Sequence, residues 1–261
     1  MLKSVLAVLL LLSLSACAPT STVSDTYAEQ QTAPTSLPGL AYPLAKSEDA
    51  GSEYIDSFIF LGESTTYHLK SRGVLSGGTQ TDQVWAPKSG TLMLDLSTAS
   101  CRIVYPQTGE ELDLYEAVSK SRPRYILLTF GLNGATRIVS KGKDHFWECY
   151  RRLIDTLASA SADTEIILQS CFPVAQSMDT AGYSISPNEL NGHIDTINSW
   201  TCELARQCSL GYLNTAETLK GEDGALKEEY QVGDGYHLTR EAYIIILDYI
   251  RTHAHPKEVS A

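Results

Sequence analysis

Apolar positions along the chain form short unbroken runs separated by stretches with helical spacing. Tyr54 to Leu61, Tyr125 to Phe130 and Glu165 to Gln169 are apolar runs of strand length, and Leu210 to Leu213 is a shorter one. Between them, Phe146, Trp147, Tyr150, Leu153, Ile154 and Leu157 fall on one stripe and predict a helix from Phe146 to Ala158. Leu190, Ile194, Ile197 and Leu204 repeat that pattern and predict a second helix from Glu189 to Arg206. A last helix is expected to start near Thr239, a suitable N-cap, with Ala242, Ile245, Ile246, Tyr249 and Ile250 as its buried stripe. The segment from Gln83 to Tyr105 is β-like but broken by Pro87 and Gly90, and predicts a strand, a loop and a small hairpin. Strands alternating with helices predict an α/β domain with a mostly parallel sheet, here over residues 52–256, with 257–261 as a tail.

The N-terminus has a different pattern. Lys3 precedes a 13-residue apolar run from Ser4 to Ala16, shorter than the roughly 20 residues that span a bilayer. The run ends in Leu14-Ser15-Ala16-Cys17, which resembles the signal peptide of a bacterial lipoprotein. That resemblance implies removal of residues 1–16, lipid on Cys17 and an extracytoplasmic, membrane-anchored protein. A plain secretory signal is the alternative. The Ser-, Thr-, Gln- and Pro-rich stretch that follows, up to about Gly51, reads as a flexible tether within a 17–51 segment.

Composition narrows the partners. The chain has 261 residues, 43% of them hydrophobic, and 31 acidic against 20 basic residues give a net charge of -11. Such a surface offers no attraction to phosphate backbones, so nucleic acid is not an expected partner. Anionic headgroups would repel it as well, leaving lipid as the expected anchor. Beyond Cys17 there are five cysteines, Cys101, Cys149, Cys171, Cys202 and Cys208, so at least one has no partner within the chain. Their spacing matches no metal site. Cys202 and Cys208 could bridge only if the helix carrying them ended in between.

Three segments carry groups suited to acyl transfer. Phe58-Ile59-Phe60-Leu61-Gly62-Glu63-Ser64-Thr65 ends an apolar strand in a serine where a helix can begin. Open α/β sheets place ligands at that carboxyl edge, and helix-start amides favour developing negative charge. Asp234-Gly235-Tyr236-His237 supplies a base for the Ser64 hydroxyl in His237 and a carboxylate, Asp234, to orient the imidazole. Leu127-Leu128-Thr129-Phe130-Gly131-Leu132-Asn133-Gly134 ends another strand, and the Asn133 amide can donate to an oxyanion. Each segment also has a plainer use, as a helix cap for Ser64 or as turn chemistry for Asp234 and Asn133.

In this order the three segments resemble the SGNH hydrolase superfamily, the GDSL esterases and lipases, from about Ser52 to Ala254. The first family block, Gly-Asp-Ser-Leu, is Gly62-Glu63-Ser64-Thr65 here. The third, Gly-x-Asn-Asp, is Gly131-Leu132-Asn133-Gly134, and the fifth, Asp-x-x-His, is matched in full by Asp234 and His237. The resemblance implies a flavodoxin-like three-layer αβα sandwich and a serine esterase without cofactor or metal, acting on short acyl or O-acetyl carbohydrate esters or on lipids. It assigns the nucleophile to Ser64, the base to His237 and its orienting carboxylate to Asp234. The oxyanion donors would be Ser64, Asn133 and a glycine after the second strand. Val84 to Gly90 fits that second block best, which points to Gly90, with Gly73, Gly77 and Gly78 as rivals. Glu63 and Gly134 depart from the pattern and keep open a noncatalytic glycan-binding lipoprotein; an acyltransferase using the same serine is a further alternative. No Gly-x-Ser-x-Gly elbow and no His-Glu-x-x-His site occurs. Asp144-His145, His68, His193, His253, His255 and Cys171 receive no role.

Overall fold

A computed structural model describes residues 40–180 and 185–256; the signal segment, Cys17, the first part of the tether and the tail lie outside them. The chain runs through α1 (Gly51–Asp56), β1 (Phe58–Gly62), α2 (Ser64–Ser71), β2 (Val84–Trp85), β3 (Arg102–Val104) and β4 (Glu111–Asp113). It continues with α3 (Leu114–Ser121), β5 (Tyr125–Thr129), α4 (Ala135–Lys141), α5 (Lys143–Ala160) and β6 (Glu165–Gln169). It closes with α6 (Pro187–Cys208), β7 (Gly211–Leu213) and α7 (Arg240–Thr252). The main sheet has the order β2-β1-β5-β6-β7, with every neighbouring pair parallel. This is the flavodoxin-like doubly wound order.

Residue parity decides which layer each side chain enters. Ile126, Leu128, Ile166, Leu168 and Tyr212 pack into a core with α3, α5 and α6. Their neighbours Phe58, Phe60, Tyr125, Leu127, Ile167 and Leu213 pack into a second core with α1, α2 and α7. A strand with helices on both faces has no polar side to show, so β5 is buried at all five positions. The aromatic stripe expected near residue 146 lies in the first core, with Phe146, Trp147, Tyr150, Leu153, Ile154 and Leu157 all buried. Thr239 caps α7 by accepting the Ala242 amide at 3.3 Å.

Several expectations change in three dimensions. The strand expected from Tyr54 begins only at Phe58, because residues 51–56 form α1, where Tyr54 and Ile55 are buried. A short apolar pair has no period and suits either element. The end of the expected tether is docked on the domain. Leu44 is buried and its amide donates to Tyr212 O at 2.8 Å, while the amides of Ser47 and Ala50 reach Thr252 O and Arg251 O at 2.7 and 3.0 Å. A polar linker composition does not reveal that its main chain can cover an open sheet edge, here that of β7. The hairpin expected within Gln83 to Tyr105 has its first strand there, β3, but its partner β4 lies beyond Tyr105, and α3 and α4 were not foreseen. All five described cysteines are free, and α6 runs unbroken through both Cys202 and Cys208, which prevents their pairing.

Candidate active site

The sheet creates the site where its connections diverge. After β1 the chain turns into α2 on one face, and after β5 into α4 on the other. Between two adjacent parallel strands this leaves a crevice at their carboxyl ends. Ser64 opens α2 there, half-buried, and its N–H belongs to the first helical turn, where no preceding carbonyl can accept it. Asn133 sits in the turn from β5 into α4, and the loop before α7 brings Asp234 and His237 to the same place.

The distances describe a continuous polar chain. Ser64 Oγ lies 3.1 Å from His237 Nε2, and His237 Nδ1 lies 2.7 Å from Asp234 Oδ2. The second oxygen of Asp234 accepts the amides of His237 at 2.9 Å and Tyr236 at 3.1 Å. Partial burial raises the Asp234 carboxyl, but the His237 and Tyr236 amides and the imidazole outweigh it and hold it below the usual carboxylate range. The loop has its shape because Gly235 has φ +85° and a Cβ there would lie 2.5 Å from Met178 Cα. Ala175 N donates to Gly235 O at 2.7 Å and so ties the loop to the segment after β6. That segment is fixed in turn by two α6 asparagines. Asn198 exchanges hydrogen bonds with the main chain of Cys171, and Asn191 does so with Val174.

Glu63, which stands where the family pattern has aspartate, is a buried carboxyl group next to Ser64. Its carboxylate accepts the amides of Gly131 at 3.0 Å, Leu132 at 3.1 Å and Asn133 at 3.1 Å. The turn that carries Ser64 and the turn that carries Asn133 are thereby locked together. Burial pushes the Glu63 carboxyl up to about 7, against the pull of the Gly131, Asn133 and Leu132 amides. Gly131 permits the close approach, since a Cβ there would meet Ile197 Cγ2 at 2.6 Å and Cys171 Sγ at 3.1 Å. Cys171 is thus a buried packing group under this turn, with its thiol pushed up by burial and by the Glu63 charge.

Asn133 reaches the crevice, with its Nδ2 donating to Thr91 Oγ1 at 3.2 Å and to Leu92 O at 3.3 Å. Gly90 does not reach it. Its amide closes a turn onto Pro87 O at 2.9 Å, and the residue that lines the cleft is the next one, Thr91. A glycine in a Pro-initiated turn uses its N–H locally, which the spacing of motif blocks does not disclose. Gly73, Gly77 and Gly78 do not line the cleft either. The cleft holds about 610 Å³ and is walled chiefly by Leu132, Ala135, Met178, Ile185, Leu190 and Tyr236.

His68 was missed as a neighbour of the site. It stands one helical turn after Ser64, a spacing that puts both on one face of α2, and its ring centroid lies 4.4 Å from that of His237. Burial, His237 and Arg72 push its imidazole down to about 4, although Asp234 opposes them. Tyr236 packs on the other side of His237, with centroids 4.2 Å apart. Asp144, His145, His193, His253 and His255 lie away from the cleft lining.

This parallel sheet flanked by helices on both faces is the SGNH hydrolase fold. The family model described as GDSL-like Lipase/Acylhydrolase matches residues 60–245, and the chain belongs to that family of ester-hydrolysing enzymes. Among solved structures, a Desulfitobacterium hafniense DCB-2 protein provisionally termed a lipolytic protein of the G-D-S-L family superposes with a TM-score of 0.52 at 16% identity, over 76% of this chain and 98% of that one. A Streptococcus pneumonia protein provisionally termed a platelet activating factor gives 0.50 at 18% identity, over 80% and 93%. No curated protein matches the chain.

Proposed function

We propose that this chain is a serine esterase in which Ser64 is the nucleophile, His237 the general base and acid, and Asp234 the group that orients the imidazole. One observation carries the reading: the chain of contacts from Ser64 Oγ to His237 Nε2 at 3.1 Å and from His237 Nδ1 to Asp234 Oδ2 at 2.7 Å, at the mouth of the crevice. As Ser64 Oγ bonds to the ester carbonyl carbon, its proton passes to His237 Nε2 and the carbonyl oxygen becomes an oxyanion. The Ser64 N–H and Asn133 Nδ2 face that charge, the latter by exchanging its bond to Thr91 Oγ1 for one to the oxyanion. His237 returns the proton to the departing alcohol. Water then attacks the acyl-serine with His237 again as base, releasing the acid and restoring Ser64. The substitution of Glu63 supports catalysis over a noncatalytic glycan-binding role, because the longer side chain keeps the asparagine turn in place.

Export and a lipid anchor on Cys17 belong to the same proposal and rest on the Leu14-Ser15-Ala16-Cys17 box. The test of the chemistry is hydrolysis of an aryl acetate by the native domain and by Ser64→Ala. Loss of at least about 1000-fold in the variant, with its circular dichroism unchanged, is expected; retained turnover would refute the assignment. Adding a sugar acceptor and analysing products separates hydrolysis from acyl transfer.

A further inference from the structure

The cleft in front of Ser64 carries one charge that the serine chemistry does not use. Arg137, in the first turn of α4, is exposed and lines the cleft. The other lining residues are apolar or neutral polar apart from His237, and no carboxylate is among them. In a chain with 31 acidic and 20 basic residues, this puts a cation on the cleft lining, while the Asp234 carboxylate stands behind His237 and is paired with it. Low-dielectric walls on one side of such a group focus its field into the cleft.

Arg137 is held in place without being neutralised. Its Nη2 lies 3.1 Å from Met93 Sδ, a weak acceptor that takes no charge away. Among the described residues no carboxylate forms an ion pair with it. Asp95 feels its charge at longer range, but Asp95 Oδ1 already accepts the Ser97 amide at 2.8 Å and the Ser97 hydroxyl at 2.6 Å. The residue at position 134 bears on why no carboxylate partner is present among the described residues. A Cβ built on Gly134 would lie 3.6 Å from Nε and Nη2 of Arg137 and equally near Met93 Sδ. A carboxylate side chain at that position, where the Gly-x-Asn-Asp pattern has one, would lie beside Arg137; glycine leaves the guanidinium fork to the cleft, which Asn133 also lines.

We propose that Arg137 selects esters bearing a carboxylate close to the scissile bond, pairing with that carboxylate while Ser64 attacks. The inference rests on the serine-esterase reading above and adds the substrate class to it. A planar guanidinium suits two parallel N–H donations to a carboxylate, a geometry that lysine cannot reproduce. The carboxylate can belong to the acyl half or to the alcohol half of the ester, and the chemistry of recognition is the same.

Two substrate pairs separate these sources. A nitrophenyl hemisuccinate against its methyl ester places the charge in the acyl half; 3-acetoxybenzoate against its methyl ester places it in the alcohol half. At low ionic strength the native enzyme is expected to favour the charged member of one pair by about tenfold or more in kcat/KM, mainly through KM. Arg137→Gln should bring that ratio close to one, Arg137→Lys should restore part of it, and added salt should shrink it in the native enzyme. No preference in either pair, a ratio that survives in Arg137→Gln, or an equal fall on all four esters would overturn the proposal. Calorimetric binding of the hemisuccinate ester to Ser64→Ala and to Ser64→Ala with Arg137→Gln keeps it distinct from the esterase reading. Absent turnover with Arg137-dependent binding would refute the esterase and uphold carboxylate recognition, whereas turnover of neutral esters without Arg137-dependent binding would do the reverse.

Discussion

The two halves of the site are held in opposite ways. Ser64 and Asn133 are fixed from below, by a buried Glu63 carboxylate that accepts three amides of the 131–133 turn. Asp234 and His237 are fixed at the surface, by a turn whose amides converge on an Asp234 side chain that is still 37% exposed. The difference separates stability from chemistry. A group that organises a buried turn cannot be removed without orphaning amides in the interior, at about 1–3 kcal/mol for each unsatisfied donor. A group in a solvated turn loses its partners to water and leaves the fold standing.

The sharpest way to break this comparison is on the surface half. Asp234→Ala is expected to lower kcat by roughly 10^3- to 10^4-fold through loss of the imidazole's orientation, with a melting temperature close to native; a large drop in melting temperature would show that the turn is structural after all. Asn133→Ala should cost about 100- to 1000-fold in kcat with little change in KM, since the amide acts on charge that exists only in the transition state. Steady-state kinetics on one aryl ester decide both.

On the buried half, Glu63→Ala is expected to lower stability by several kcal/mol as measured by urea unfolding near pH 5. The sign of its pH dependence is diagnostic. Burial raises this carboxyl from an ordinary 4.5 to about 7 in the folded chain, so the folded state holds the proton more tightly than the unfolded one. That contribution is complete below about pH 4.5 and is lost as pH rises through about 7. The stability gap between native and Glu63→Ala should therefore narrow by roughly 3 kcal/mol between pH 4.5 and pH 8. A gap that stays constant or widens would mean that the carboxyl is not raised. The smallest effect concerns both halves: with every described cysteine free, a reductant should move neither the melting temperature nor kcat of the described domain.

How much of this was legible follows from the range of the forces involved. The α5 stripe and the Thr239 cap could be read because they depend on residues within one or two turns of each other. The serine at a strand end and the Asp-x-x-His spacing were readable for the same reason, since triad chemistry demands particular residue types. Gly90 could not be settled that way. Whether its amide faces the cleft or closes a turn depends on how Pro87 directs the chain, and the turn took the amide.

Periodicity and residue type by themselves determined the alternation of strands and helices, the parallel sheet and the three chemical groups of the proposed triad. Only the tertiary structure decided that Glu63 holds the asparagine turn, that His68 lies against His237, that residues 44–50 dock along β7 and α7, and that Arg137 faces the cleft with no carboxylate partner among the described residues. Each of these contacts joins positions brought together by chain packing, or depends on what a neighbouring residue leaves unfilled. Local sequence encodes which way a side chain points along its own element; what it meets there is set by the packing of the whole chain.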